Sequence, residues 1–243
     1  MNNKRTRLAT ALRAICASLA PVALAAMYAW PAQISAAAPS LPNTFDAASW
    51  TAVPTGSIDT GVLSLALAAA GCAVRSGAAS NPSTLSVIDY TRPSASERLW
   101  VFDVATRALL FHELVAHGSG TGAKVATTFS NDTDSHQSSL GLFLTGESFV
   151  GKNGYALRLK GLEAGVNDHA WDRAIVMHGA SYVSEMLAKT WGQIGRSWGC
   201  PAVRQDVAKT LIDRVKGGGL MFAYYPDPKW LATSKYLGTC LAR

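Results

Sequence analysis

The stretch "RSWGCPAV", Arg196 to Val203, sets a cysteine between a glycine and a proline. Three chemistries suit a cysteine so placed: half of a disulfide, a metal ligand, or a thiol kept free to react. The neighbouring residues favour reaction. Pro201 fits the first turn of a helix, which predicts Cys200 near a helix start, where unsatisfied amides and the positive dipole end favour a thiolate. Gly199 removes a side chain beside the sulfur, so a carbonyl can approach the backbone, and the Gly199 and Cys200 amides become candidate donors to an oxyanion. His178 follows the apolar run "AIVM" and precedes Gly179, at the end of a predicted buried strand. One helix and a turn then separate it from Cys200, a natural path back to the same edge of a sheet. A thiolate that attacks a carbonyl, with an imidazole managing the protons, is the arrangement for acyl transfer. Such a thiolate–imidazolium pair predicts alkylation that persists below the ~8.5 pKa of a free thiol.

A second stretch, "FHELVAHG" from Phe111 to Gly118, nearly spells the His-Glu-x-x-His motif of zinc peptidases. His112 and His117 are i and i+5, which on a helix points them roughly 140° apart. On a strand, which the neighbouring residues favour, they face opposite sides of the sheet. The reading is of two unrelated histidines on a strand and its exit, and no metal site is assigned.

The cysteine count depends on the N-terminus. Lys4, Arg5, Arg7 and Arg13 precede a largely apolar stretch, Ala14 to Trp30, interrupted by Pro21 and followed by "AQISAAAPS". A positive region, an apolar region and small residues at a cleavage zone describe a secretory signal peptide over residues 1–37 rather than a retained anchor. Its removal takes Cys16 and leaves Cys72, Cys200 and Cys240, an odd number in an oxidising compartment. A Cys72–Cys240 bridge would tie the ends of the mature chain together and leave Cys200 free, although sequence alone does not fix the connectivity. Without those four basic residues the 22 Lys+Arg fall to 18 against 16 Asp+Glu, so the basic balance gives no reason to expect nucleic acid.

The remaining elements must position Cys200 and His178. Residues 38–57 are rich in Pro, Ser, Thr and Ala and read as a linker. Residues 58–83 read as a short helical extension, with Asp59 or Thr60 as cap and Cys72 on the helix. From Leu85 the pattern turns to short strands: "LSVIDY", "RLWVFDVA" and "ALLFHELVA", the last two joined by a hairpin at Thr106–Arg107. A long polar loop, "GSGTGAKVATTFSNDTDSHQSS", is of the kind that borders a site. "LGLFLTGES", "YALRLKGL", "AIVMHG" and a final "LMFAYY" continue the strands. Two helices are predicted: 181–191 behind Ser181, with Val183, Met186, Leu187 and Trp191 on one face, and 201–216, with Val203, Val207, Leu211 and Val215 on one face.

"HG" at His178–Gly179, followed by "SWGC", resembles the His-Gly … Ser-x-Gly-Cys signature of the L,D-transpeptidase catalytic domain, also called the YkuD family. "SERLWVFDVATRALLFHELVAHG" resembles its opening hairpin and "SSLGLFLTGE" its Gly-x-Phe strand, and the match runs from about Leu85 to about Pro228. The resemblance implies a mainly β domain over residues 84–243, a curved sheet or sandwich with a few helices, two of them flanking the Cys loop. It implies peptidoglycan stem peptides as donor and acceptor, and neither cofactor nor metal. Cys200 would attack the carbonyl of the third stem residue and expel the terminal D-alanine, with His178 as base and then acid. Gly199 and Cys200 would hold the oxyanion, while Arg196, Ser197, Trp198 and Gly179 would border the substrate. Transfer to an amine of another stem gives a 3→3 cross-link, and transfer to water gives a carboxypeptidase. Ala202 stands where many members carry a basic residue, and Trp198 where His or Arg is frequent, and both bear on substrate choice. The location implied is the periplasm or cell surface. A different class of reading, a wall-binding or structural protein with an inert or bridged Cys200, is separated by counting free thiols.

Overall fold

Short runs of β-branched, aromatic and leucine residues form strands because their side chains fill a pleated, half-buried surface. The computed structural model describes residues 44–51 and 53–238. Among these, eight strands form one sheet: β1 (Thr84–Asp89), β2 (Leu99–Asp103), β3 (Leu109–Glu113), β4 (Gly141–Gly151), β5 (Gly154–Gly161), β6 (Val176–Ala180), β7 (Ala202–Arg204) and β8 (Leu220–Tyr224). Their order is β3-β2-β1-β8-β4-β5-β6-β7, with β1–β8 and β6–β7 parallel. The hairpin between β2 and β3 turns at Thr106–Arg107, where Thr106 N–H donates to Asp103 Oδ1 at 2.8 Å.

The sheet curls until its two edges meet. Past β3 the chain reaches β7, where Ala116 N–H donates to Ala202 O at 2.8 Å and Val115 bridges Val203. This near-closure pairs edges that would otherwise stay open. It selects the curved sheet over the sandwich among the two expected forms, and it brings the exit of β3 to the Cys200 loop.

Helix α1 (Thr60–Arg75) is capped by Asp59, which accepts from Gly61 and Val62 N–H. Its Leu63, Ala66, Leu67 and Ala70 recur at helical spacing, are buried, and face β1 and β8. Every residue of β1 is buried, so both of its faces are covered. Within residues 38–57, read as a linker, Trp50 enters the core, buried edge-on to Phe102 at 5.5 Å. The call of a signal peptide over 1–37 lies outside the described residues, as do Cys16 and Cys240. Cys72, on α1, is disulfide-bonded.

The helices around the Cys loop differ from expectation. Cys200 does not start a helix. Residues Ala202–Arg204 form β7, paired in parallel with β6, and α3 (Gln205–Val215) begins only afterwards with Arg204 as its N-cap. Tertiary pairing with β6 wins over the helix-start signal of Pro201, and the buried face of α3 becomes Ala208, Leu211, Ile212 and Val215. Similarly, α2 (Glu185–Trp191) is capped by Ser184, not Ser181. Its Met186 and Trp191 are exposed, and only Val183, ahead of the helix, is in the core. "PDP" opens an unexpected helix, α4 (Pro228–Thr233), with Asp227 capping Trp230 N–H and proline in the first turn.

One buried carboxylate fastens α4 to the sheet. Glu163 accepts from Leu142 N–H at 2.9 Å, Trp230 Nε1–H at 3.1 Å and Ser234 Oγ–H at 2.6 Å. Three donors compensate its desolvation, as a buried charge requires.

Candidate active site

Register places the two residues singled out by the sequence near each other. His178 on β6 lies opposite Ala202 on β7, and Cys200 is two residues before Ala202. Side chains two apart share a face, so Cys200 lies beside Val176, the residue two before His178. The sulfur accordingly accepts from Val176 N–H at 3.5 Å and donates to Ala174 O at 3.8 Å. It packs with Val176, Ala156 and the half-buried Phe149. Cys200 is a free thiol, 8% exposed.

The turn that presents it is clamped by Ser197. Ser197 Oγ–H donates to Cys200 O at 2.6 Å, while the same oxygen accepts from Gly199 N–H at 3.1 Å. Gly199 has φ +111°, a backbone that a side chain disfavours, and a Cβ there would come within 2.7 Å of Gln137 O. Close packing of two backbones, together with the sulfur's surroundings, therefore demands glycine. The turn is also stitched to the exit of β3: Ser197 N–H donates to His117 O at 3.0 Å and Ser119 N–H to Ser197 O at 2.7 Å. Arg196 Nη1–H reaches Gly122 O at 3.0 Å, on the same wall.

The imidazole of His178 has a defined tautomer. Its Nδ1 lies 3.0 Å from Gly179 O. A carbonyl only accepts, so Nδ1 carries the hydrogen and Nε2 is the open lone pair of the neutral ring. The orienting group is thus a backbone carbonyl. The partners of the Cys200 sulfur are both backbone atoms, and the His178 ring is not among them in this conformation.

Electrostatics correct one expectation. Burial pushes the Cys200 thiol above its ordinary 9.0, against the opposing pull of the Val176 N–H and of Arg173. With β7 rather than a helix after Pro201, the dipole expected to favour the thiolate is missing. Burial therefore works against the thiolate in the free protein, opposite in sense to the helix-start effect expected from the sequence.

Not every residue singled out meets the sulfur. Gly179 sits against α3, where a Cβ would approach Ala208 Cβ to 2.8 Å, so it admits the helix. Trp198 is 71% exposed and stacks on His136 at 4.7 Å and 8°. His112 and His117 take separate partners. His112 stacks on Trp100 at 4.9 Å, whereas His117 Nδ1 accepts from Arg98 Nη2–H at 2.7 Å. His117 Nε2 then carries the hydrogen and faces Gly122 O at 3.3 Å. Burial, and next the Arg98 charge, push His117 down to about 4. That neutral imidazole supports the wall beside the Cys loop.

Three contributors have no motif in the sequence. Arg173 donates to the loop opposite Cys200. Tyr182 has a phenol that burial, and then the Cys200 charge, push up to about 12, so it stays neutral. Ser138 accepts from Gly118 N–H at 3.1 Å and donates to Gly199 O at 3.4 Å. The only available signal was position: "DRAIVMHG" puts Arg173 just upstream of His178, and Ser138 lies in the long polar loop. A cavity of about 400 Å³ lined by Phe129, Leu140, Val166 and Trp230 lies elsewhere and includes none of the groups bonded to the sulfur.

Comparison with known proteins adds the family. The family of L,D-transpeptidase catalytic domains matches residues 55–224. No curated protein matches. Among solved structures, the chain is similar to an L,D-transpeptidase from Mycobacterium smegmatis, with 14% identity, 59% of each chain covered and a TM-score of 0.36. Mycobacterium tuberculosis L,D-transpeptidase 1 shows 13% identity over 59% of this chain and 62% of that one, with a TM-score of 0.32. An L,D-transpeptidase from Stackebrandtia nassauensis shows 15% identity over 75% and 90%, with a TM-score of 0.33. The chain spans about 59% of the length of the first of these.

Proposed function

Because the chain belongs to the L,D-transpeptidase catalytic-domain family, we propose that it is an exported enzyme of the periplasm or cell surface that cross-links peptidoglycan stems through a Cys200 acyl-enzyme. The observation that carries this reading is the free Cys200 thiol beside Val176, with His178 two residues further along the same strand and its Nδ1 tied to Gly179 O. Export rests on the pattern of the first 37 residues.

The reaction begins when the third-residue carbonyl of a donor stem reaches the sulfur. The thiol proton passes to His178 Nε2 as the S–C bond forms. Negative charge then gathers on the carbonyl oxygen. Gly199 N–H is already donated to Ser197 Oγ, so the Cys200 N–H is the donor left at the turn for that oxygen. Collapse breaks the C–N bond to D-alanine, and the His178 imidazolium protonates the departing amine. The thioester that remains is attacked by an amine of a second stem. That amine gives up its proton to His178, the thiol is restored, and a 3→3 cross-link results. Trp198, exposed and held flat on His136, borders the approach to the turn.

The test is intact-mass spectrometry of protein mixed with a tetrapeptide stem and quenched in acid. A tripeptide-sized adduct on Cys200, absent from Cys200→Ala, is expected. Turnover of the stem by Cys200→Ala would overturn the reading.

A further inference from the structure

Among the described residues, Arg173 is a cation without an ion pair. Its four Nη hydrogens go to neutral oxygens: Nη1 to Ser130 O at 2.9 Å and Ser139 Oγ at 2.7 Å, Nη2 to Ser135 Oγ at 3.2 Å and Gln137 O at 2.7 Å. Among the described residues no carboxylate lies within ion-pair distance of it, although the side chain is half-buried. A desolvated charge of this kind is costly unless something offsets it. The same Nη2 comes within 3.4 Å of the position a Gly199 Cβ would occupy, one residue from the nucleophile. Arg173 is also followed directly by Ala174, whose carbonyl accepts from the Cys200 thiol and whose own φ is +53°. The guanidinium is therefore fixed to the 130–139 loop, while its backbone continues into the turn that receives the Cys200 thiol.

We propose that Arg173 is a positioning residue that holds the counter-charge for the Cys200 thiolate. When the thiol proton leaves for His178 Nε2, the new anion becomes the partner this guanidinium lacks, and the charge is already in place. The other groups around the sulfur do not replace it. Tyr182 and Tyr90 are phenols that burial first, and also the Cys200 charge, keep neutral, so neither supplies a positive charge. Arg158, on β5 opposite Val176, is sandwiched between Phe149 at 4.5 Å and Trp171 at 4.8 Å. His178 is the proton acceptor, and Asp132 tempers Arg173 from the loop side. The direction of the Arg173 effect on the thiol, downward, agrees with the geometry.

The inference rests on Cys200 as the nucleophile and not on any substrate, so its test needs no turnover. Iodoacetamide modification of the full chain is followed against pH, with peptide mapping to Cys200. Arg173→Gln is expected to raise the midpoint by about one unit, read as roughly tenfold slower alkylation at pH 8, and Arg173→Lys to restore most of it. Superimposed profiles for wild type and Arg173→Gln, or equal shifts in Arg173→Lys and Arg173→Gln, would overturn the proposal. A merely structural role would change the rate at all pH values without moving the midpoint. If Arg173→Gln does not fold, Asp132→Asn decides: a lowered midpoint supports the counter-charge, and an unmoved or raised one contradicts it.

Discussion

Ser197 and Cys200 are joined by a hydrogen bond of 2.6 Å from the serine hydroxyl to the cysteine carbonyl, and the hydroxyl oxygen takes the Gly199 N–H in the same motion. One side chain thereby closes the Cys200 turn and withdraws one of the two amides that the sequence offers to an oxyanion. Ser197→Ala is expected to release that turn. Loss of two buried hydrogen bonds costs about 1–3 kcal/mol in stability. Because the sulfur is displaced, kcat on a stem peptide should fall by at least about tenfold with a smaller change in KM. Steady-state kinetics beside a denaturant curve checks both, and unchanged kcat would contradict the role given to the clamp.

Gly199 answers to sterics. At φ +111°, with Gln137 O only 2.7 Å from a would-be Cβ, Gly199→Ala must move backbone on one side or the other. A loss of at least about 2 kcal/mol is expected, visible as a lowered Tm, together with loss of Cys200 reactivity. A variant as stable as wild type would show that the turn is not held as described.

Burial favours the thiol form of Cys200 over the thiolate. The pKa rises above its ordinary 9.0. The folded value exceeds the unfolded one, so this group's contribution to stability is present below the unfolded pKa and is lost as pH rises toward the folded value. Alkylation of Cys200 in the free protein should therefore inflect above pH 9.0, later than a model thiol. Fast modification at pH 7 would refute this, and would restore the thiolate expected from sequence.

His117 gives a second pH signature, of opposite sign. Its unfolded imidazole binds a proton near 6.5, its folded one only near 4. Between these values the unfolded state holds more protons, so stability is complete above 6.5 and declines as pH falls to about 4. At about 1.4 kcal/mol per unit the full effect is about 3 kcal/mol. Denaturation free energies from pH 7 to pH 4 in wild type and His117→Gln measure it, and equal slopes in the two proteins would exclude His117 as the source.

Much of this site was legible in the sequence. The strand run from Leu85, the hairpin at Thr106–Arg107 and the placement of His178 and Cys200 near each other follow from β-branched periodicity, turn residues and the His-Gly … Ser-x-Gly-Cys pattern. What escaped was decided by tertiary pairing. Pro201 reads locally as a helix start, yet β6 recruits Ala202–Arg204 as a strand, and no local signal announces a three-residue strand at a sheet edge. Arg173 and Ser138 act from turns, where no periodicity marks a residue. Their roles depend on which backbone oxygens the fold brings near them. His117 was rightly set apart from His112, but its buried neutral imidazole could be read only once Arg98 was seen to donate to it.

The most direct test is mass spectrometry of purified disaccharide-tetrapeptide after incubation with the protein, beside Cys200→Ala. The account predicts dimers formed with loss of one D-alanine, absent from the variant. Tripeptide without dimers would contradict transpeptidation and assign hydrolysis, and dimers formed equally by Cys200→Ala would contradict the Cys200 acyl-enzyme itself.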